Sequence, residues 1–334
     1  MVEKFSKERI AQYERSGHRI VGKGEHSAIE ICRWAKARLK GKRNCYKKIF
    51  GIDSHRCVQM TPVLDLCSCE CVFCWRKFGK ERFKHSEKGW DKPKEIVDEA
   101  IVARGKILSG FGGSEYVSDE MLKEALEPNH FAISLDGEPT MYPYLAELIK
   151  EIKSRGCTVF LVTNGMFPER IRELLEKDAV PDNLSISVYA TNEEDYYKIT
   201  NAKVEHCFGR VRESLGLMRE FDCRTNFKMT LVNGWNMKDV SGYAELVKLG
   251  GVRFVTLKGY SHIGESQKRL SVKEMPEMDE IERFADELAV GSGYIVKHKD
   301  EISRVVILCR GEETWVWNGK KIGEQRDRWK EKGD

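Results

Sequence analysis

The chain has 334 residues, 41% of them hydrophobic and 33% charged, with a formal net charge of +4. That is enough for one large domain or two modest ones, and no run of roughly eighteen apolar residues is present to span a membrane. The charged start, MVEKFSKERIAQYERSG, lacks the apolar centre of a signal peptide, so a cytoplasmic location is expected. In that reducing compartment eleven cysteines point to metal or redox chemistry rather than disulfides.

In chain order, residues 1–56 read as a helical, basic N-terminal extension. Between Ile31 and Phe50 it carries eight basic residues and no acid: Arg33, Lys36, Arg38, Lys40, Lys42, Arg43, Lys47 and Lys48. A second basic stretch (Arg76, Lys77, Lys80, Arg82, Lys84) follows the densest group of cysteines. Either run alone reads as solvated surface; two of them around a cysteine cluster point to a polyanionic partner. Cys32, Cys45 and Cys57 are spaced by thirteen and twelve residues. Singly each reads as a small buried hydrophobe; together they offer a second set of three thiolates.

From Cys57 onward, short apolar runs alternate with amphipathic stretches. CVQMTPVLDL, HFAISLD, TVFLVTN, NLSISVYA, RTNFKMTLV and VRFVTLKG read as strands. Pro93–Leu108, Tyr142–Ser154, Pro168–Lys177, Val204–Glu220 and Val240–Lys248 read as the helices between them. Such alternation predicts successive βα units on a mainly parallel sheet. Six units predict an α/β fold of the partial (β/α)6 TIM-like barrel type over residues 57–275, with the site on the rim at the strands' C-terminal ends. Over residues 276–334, a helix (Met278–Leu288) and two strand-like segments, GYIVKH and SRVVILC, are expected to cover the barrel edge.

The stretch LDLCSCECVFCWRK follows the first barrel strand and offers Cys67, Cys71 and Cys74 in C-x3-C-x2-C spacing, with Cys69 as a further thiol. Structural zinc sites use paired Cys-x-x-Cys knuckles far apart in sequence. Three thiolates on one short loop instead suit a [4Fe–4S] cube, leaving one iron open to a small molecule. Phe73, just before the last cysteine, fits packing beside an adenine. SLDGEPTMYP ends the next strand, and its Gly137-Glu138-Pro139 lets backbone approach a ligand closely. Thr163 and Asn164 in VTNG, and Ser187 after the fourth strand, put polar groups on the same rim. Cys157, Cys207, Cys223 and Cys309 have no ligand spacing, and His26, His55 and His262 form no metal-binding pattern.

This arrangement resembles the radical S-adenosylmethionine (SAM) superfamily. The resemblance sets Cys67, Cys71 and Cys74 as cluster ligands, with SAM chelating the open iron and Cys69 to spare. HSAIEICRW, NCYKKIFGI, CVQMTP, CVFCWR, SLDGEPTMYP, LVNGWNM and KGYSHIGESQKRL are similar, from about His26 to Arg310, to the archaeal-type 4-demethylwyosine synthase family of wybutosine biosynthesis. That resemblance implies two [4Fe–4S] clusters and SAM as cofactors, with the second cluster on Cys32, Cys45 and Cys57 and a Schiff base from Lys47 to pyruvate. The implied reaction is a lyase-type condensation of N1-methylguanosine-37 of tRNA(Phe) with pyruvate. An N-methyl C–H is unactivated at neutral pH, so a 5′-deoxyadenosyl radical is required to abstract its hydrogen. The anticodon loop is then the RNA partner, met by phosphate-neutralising and stacking side chains. Trp75, Arg76, Lys77, Lys258, Ser266 and Arg269 are the candidates for that contact. Two departures from the family pattern are Asp136, where a small polar residue is favoured before Gly137, and the extra thiol of Cys69. No flavin-binding stretch precedes residue 26, so a separate electron donor is expected, with a monomeric chain. The alternatives are a radical SAM enzyme on another substrate, such as a glycyl-radical activase, and a non-catalytic zinc-bearing RNA-binding module.

Overall fold

The computed structural model describes residues 5–78, 89–311, 316–317 and 320–321. Ten strands form one sheet. They are β1 (His18–Val21), β2 (Ser27–Glu30), β3 (Cys57–Thr61), β4 (His130–Ile133), β5 (Thr158–Thr163), β6 (Asn183–Ser187), β7 (Arg224–Leu231), β8 (Phe254–Gly259), β9 (Ile295–Asp300) and β10 (Val305–Cys309). Their order is β1-β2-β3-β4-β5-β6-β7-β8-β10-β9. From β3 to β8 every pair is parallel and each strand lies beside its sequence neighbour. A parallel sheet wound in one direction without reversal is a barrel wall, not a doubly wound sheet. β3 pairs with β2 and β8 with β10, both antiparallel, so the six-strand wall stays open. This is the partial barrel the alternation predicts.

Strand residues alternate between the two faces of the wall. Val58, Met60, Phe131, Ile133, Leu161, Ile186, Phe227, Met229, Val255 and Leu257 face the helix layer and form the main core. On the lumen side, Ala132, Phe160, Phe254, Val305 and Ile307 pack against Tyr46, Phe50 and Ile52. The N-terminal segment therefore fills the strand-start end of the lumen, where Phe50 meets Phe254 edge-on at 5.2 Å.

The main differences from expectation lie at the two ends of the chain. Residues 1–56 are not merely helical: besides Lys7–Arg15 and Arg33–Leu39 they supply the β1–β2 hairpin, which extends the sheet at β3. These strands have four residues each, too short for a firm alternation signal. The C-terminal strands join the sheet at β8 rather than cover it, after the helix Met278–Ser292. The helix expected over Val204–Glu220 runs from Cys207 to Leu217 and ends in a 3-10 turn. Before it lies the unforeseen helix Glu193–Thr200, capped by the Asn192 side chain on the Asp195 N–H and closed by left-handed Asn201. Among the described residues no helix is long and apolar enough to cross a membrane. Lys80, Arg82 and Lys84 of the second basic stretch lie outside the described residues.

Candidate active site

The loop after β3 carries Cys67, Cys69, Cys71 and Cys74 at the C-terminal rim of the wall. Its backbone polar groups are satisfied by several neighbouring elements, which fixes its path. Leu66 O accepts from Glu138 N (2.7 Å), Ser68 O from Lys203 N (2.8 Å), and Trp75 O from Glu265 N (2.9 Å). Glu70 N and Val72 N donate to the carbonyls of Thr200 and Ile199 at the end of the Glu193–Thr200 helix (2.8 and 2.9 Å). Arg269 clamps the far side: its Nε donates to Val72 O at 3.0 Å and its Nη2 to Cys74 O.

Within the loop the four thiols are unequal. Cys69 donates to Met166 Sδ at 3.4 Å and accepts from Asn164 Nδ2 at 3.4 Å. It is 1% exposed and also hydrogen-bonds with Cys67 and Cys71; Cys71 is buried too, whereas Cys67 and Cys74 are half-buried. A hydrogen bond with Cys69, then burial, pushes the Cys67 thiol well above its usual range. Metal binding to such a thiol must release a proton. Among the described residues, no three Cys, His, Asp or Glu side chains are grouped to hold a single metal ion.

Gly137 has φ +71°, a left-handed conformation, and a Cβ there would stand 2.0 Å from Val63 O and 2.7 Å from Leu66 O. The end of β4 is thus pressed onto the cysteine loop as only glycine permits. The Glu138 carboxylate is fully engaged. Oε1 accepts from Thr140 N (3.1 Å), Thr140 Oγ1 (2.6 Å) and Thr163 Oγ1 (2.5 Å), and Oε2 accepts from Asn164 N (2.7 Å). Burial still raises its pKa against those donors. Glu138 and Thr163 therefore tie the ends of β4 and β5 together. Asn164 Nδ2 reaches across to Ser68 Oγ at 2.8 Å, linking that tie to the loop. Pro139 opens the following 3-10 turn. Phe73 packs against Tyr189 with ring centroids 4.8 Å apart, and Ser187, 5% exposed, ends β6 beside it.

The upstream cysteines converge in the lumen. Cys32 is the N-cap of the helix Arg33–Leu39, accepting from Ala35 N at 3.5 Å. Cys45 opens the 3-10 turn Tyr46–Phe50, and its N–H donates to Ser54 Oγ at 2.8 Å. Cys57 begins β3. Burial raises the Cys45 and Cys57 thiols, the latter to about 12, while each also senses Cys32 and Lys47. Lys47 Nζ stands over the Phe160 ring at 4.2 Å. Lys228 on β7 and Lys258 on β8 share this space. Burial and the other two lysines push Lys228 down to about 7, and burial lowers Lys258 too. Among the described residues, no carboxylate is among the main groups acting on these two amines. Lys228 escaped the sequence reading, although a lone lysine inside the strand run RTNFKMTLV is its signal.

The candidate RNA contacts separate on inspection. Trp75 stacks near His18, ring centroids 5.7 Å apart, and Lys77 O accepts from Arg9 Nη2 at 3.3 Å. Arg76 is 8% exposed and bonded inward to Cys74 and Asp136. Ser266 is 0% exposed, held by Tyr260 and Ile263. Arg269 is the loop clamp, and Lys258 belongs to the lumen. Arg76 and Arg269 thus bond to the cysteine loop, while Ser266 is buried within its own loop. The three histidines are held by structure: His26 by Pro62 O and Asp91 N, His55 by Glu124, His262 by Leu270 O.

Comparison with known proteins agrees with this geometry. Residues 61–247 match the radical SAM superfamily model and residues 249–310 the model for wyosine base formation. The tRNA 4-demethylwyosine synthase of Pyrococcus abyssi is 41% identical over 310 residues, covering 91% of this chain and 90% of that protein. The same enzyme of Pyrococcus horikoshii is 40% identical, covering 92% and 90%. A solved TYW1 structure with a lysine–pyruvate adduct bound superposes with a TM-score of 0.82 at 32% identity, covering 92% of this chain and 97% of that one. This chain belongs to the radical SAM superfamily and, within it, to the S-adenosylmethionine-dependent tRNA 4-demethylwyosine synthases.

Proposed function

We propose that the protein condenses N1-methylguanosine-37 of tRNA(Phe) with pyruvate to give 4-demethylwyosine, using SAM and two [4Fe–4S] clusters. The observation that carries this reading is that Cys45 and Cys57 lie with Lys47 inside the same open barrel whose rim loop carries Cys67, Cys71 and Cys74. Cys67, Cys71 and Cys74 are the ligands of the first cluster, and Cys69, committed to Asn164 and Met166, is not one. A cluster held by these three thiols would supply the electron for reductive cleavage of SAM. The donor set fits it: three thiols on one braced loop with a glycine pressed against that loop. Cys32, Cys45 and Cys57 would hold the second cluster.

The chain's own residues do the rest. Gly137 and the strand ends around Glu138, Thr163, Asn164 and Ser187 shape the SAM pocket, with Phe73 packed beside the adenine. Lys47 attacks the pyruvate ketone; a C–N bond forms and water leaves as the imine closes. Lys228 and Lys258, buried amines on β7 and β8, offer the pyruvate carboxylate hydrogen-bond donors. The basic N-terminal segment and Trp75 face the anticodon loop, whose target base leaves its stack to enter the lumen. A separate reductant supplies electrons to the monomeric chain in the cytoplasm. The family match over most of the chain disfavours both a different radical SAM substrate and a zinc-bearing module.

Anaerobic incubation with N1-methylguanosine-bearing tRNA, pyruvate, SAM and a reductant tests the reading. A tricyclic base detected by mass is expected; SAM cleavage without it overturns the substrate assignment. Lys47→Ala abolishes product while SAM cleavage persists, and an unchanged yield rules out the imine.

A further inference from the structure

Arg76 and Asp136 form a buried pair beside the first cysteine loop that the reaction above does not use. Arg76 Nε donates to Cys74 Sγ at 3.1 Å, and its Nη1 donates to Asp136 Oδ1 at 3.0 Å. The Arg76 side chain is 9% exposed and that of Asp136 0%. Asp136 Oδ2 is buried with no hydrogen-bond partner among the described residues. The direction of Arg76 is fixed from behind, because Glu265 N holds Trp75 O and Arg269 holds Cys74 O. Gly264, φ +58°, presses onto the same Trp75 carbonyl. A permanently charged guanidinium is thus aimed at the sulfur of one proposed cluster ligand, with the buried carboxylate of Asp136 bonded to it and that of Asp65 within its electrostatic reach.

Hydrogen bonds to ligand sulfurs and nearby charge are among the levers by which a protein sets an iron–sulfur potential. An N–H···S bond and a positive charge stabilise the reduced, more negative state. A carboxylate behind the donor opposes them. The two residues therefore pull in opposite directions on one quantity.

We propose that Arg76, held by Asp136, is a positioning residue that sets the reduction potential of the cluster on Cys67, Cys71 and Cys74. This rests on the ligand assignment under the proposed function. Arg76 raises the potential through Cys74, and Asp136 limits that rise while aiming the guanidinium.

The test is a potentiometric titration of the reconstituted full-length protein, followed by electron paramagnetic resonance at the signal that changes on SAM addition. Arg76→Met moves the midpoint negative by at least tenfold in the redox equilibrium, about 59 mV for one electron. Asp136→Asn, of nearly the same shape, moves it positive. Arg76→Lys, which keeps charge but loses the fork, falls between Arg76→Met and wild type. Midpoints unchanged in both Arg76→Met and Asp136→Asn, or shifted in the same direction, overturn the assignment. If Arg76→Met does not hold iron, Asp136→Asn decides: a positive shift supports the proposal, and an unchanged or negative one overturns it. A wild-type chain with no SAM-responsive cluster overturns the ligand reading itself, and this assignment with it.

Discussion

Replacing Gly137 by alanine tests how tightly the strand wall and the cysteine loop are coupled. The new Cβ would meet two backbone carbonyl oxygens, at 2.0 Å from Val63 O and 2.7 Å from Leu66 O, so no rotamer change relieves it. The left-handed φ of +71° adds about 1–2 kcal/mol for a residue with a Cβ. Overpacking against fixed backbone adds roughly 1–3 kcal/mol. The total, about 2–5 kcal/mol, is a large share of a typical folding stability of ~5–15 kcal/mol. What yields is the stretch from Val63 to Leu66, which leads directly into Cys67. Chemical denaturation of the metal-free protein reads the stability loss, and iron content after anaerobic reconstitution reads the site. The expected result is a folded, weakened apoprotein that loses about half the wild-type iron, since Cys32, Cys45 and Cys57 lie away from the clash. Gly137→Ala with wild-type stability and full iron would refute the close contact.

Cys69→Ala should keep full iron, and Cys71→Ala should lose one cluster's share; equal losses from both would make Cys69 a ligand. Asn164→Ala removes the donor to Ser68 and Cys69 and the acceptor of Met166 N, and should cost about 1–3 kcal/mol in denaturation of the apoprotein; no change would mean the loop is held without it. Lys228 gives a pH signature. Its folded-state pKa falls from 10.5 to about 7, so between those values the folded chain binds fewer protons than the unfolded one. Its stability penalty is fully present below pH 7 and fades as pH rises towards 10.5. Lys228→Met should therefore stabilise the apoprotein most at pH 6, by at most ~4–5 kcal/mol at about 1.4 kcal/mol per unit, less solvent screening. A gain that does not shrink towards pH 10 would contradict the burial of this amine.

The barrel wall was legible because its strands carry a strong periodic signal, with turn residues and amphipathic helices between them. β1 and β2 were not, because HRIV and SAIE are too brief to declare a period and are set by pairing with β3. The cysteine spacing marked the first site in sequence. The family resemblance marked Cys32, Cys45 and Cys57 as a second set; the fold adds that Cys45 and Cys57 pack beside the Tyr46–Phe50 turn and that both sense Cys32. Charge alone did not reveal the inward bonds of Arg76 and Arg269, since a basic residue in a loop looks the same whether it meets solvent or a backbone carbonyl. Their roles are set by Cys74, Asp136 and Val72, and that proximity has no local trace in the sequence.

The plug of Tyr46, Phe50 and Ile52 has a consequence for how the chain can be shortened. One short segment closes the lumen floor and also delivers Cys45 and Lys47. Deleting the first 56 residues would not leave a simpler enzyme with one cluster. It would uncover Ala132, Phe160, Phe254 and Ile307 to water and strip β3 of its outer partner. The apolar floor would then favour aggregation over catalysis. The segment that carries Cys45 and Lys47 therefore cannot be removed without opening the packed floor of the barrel.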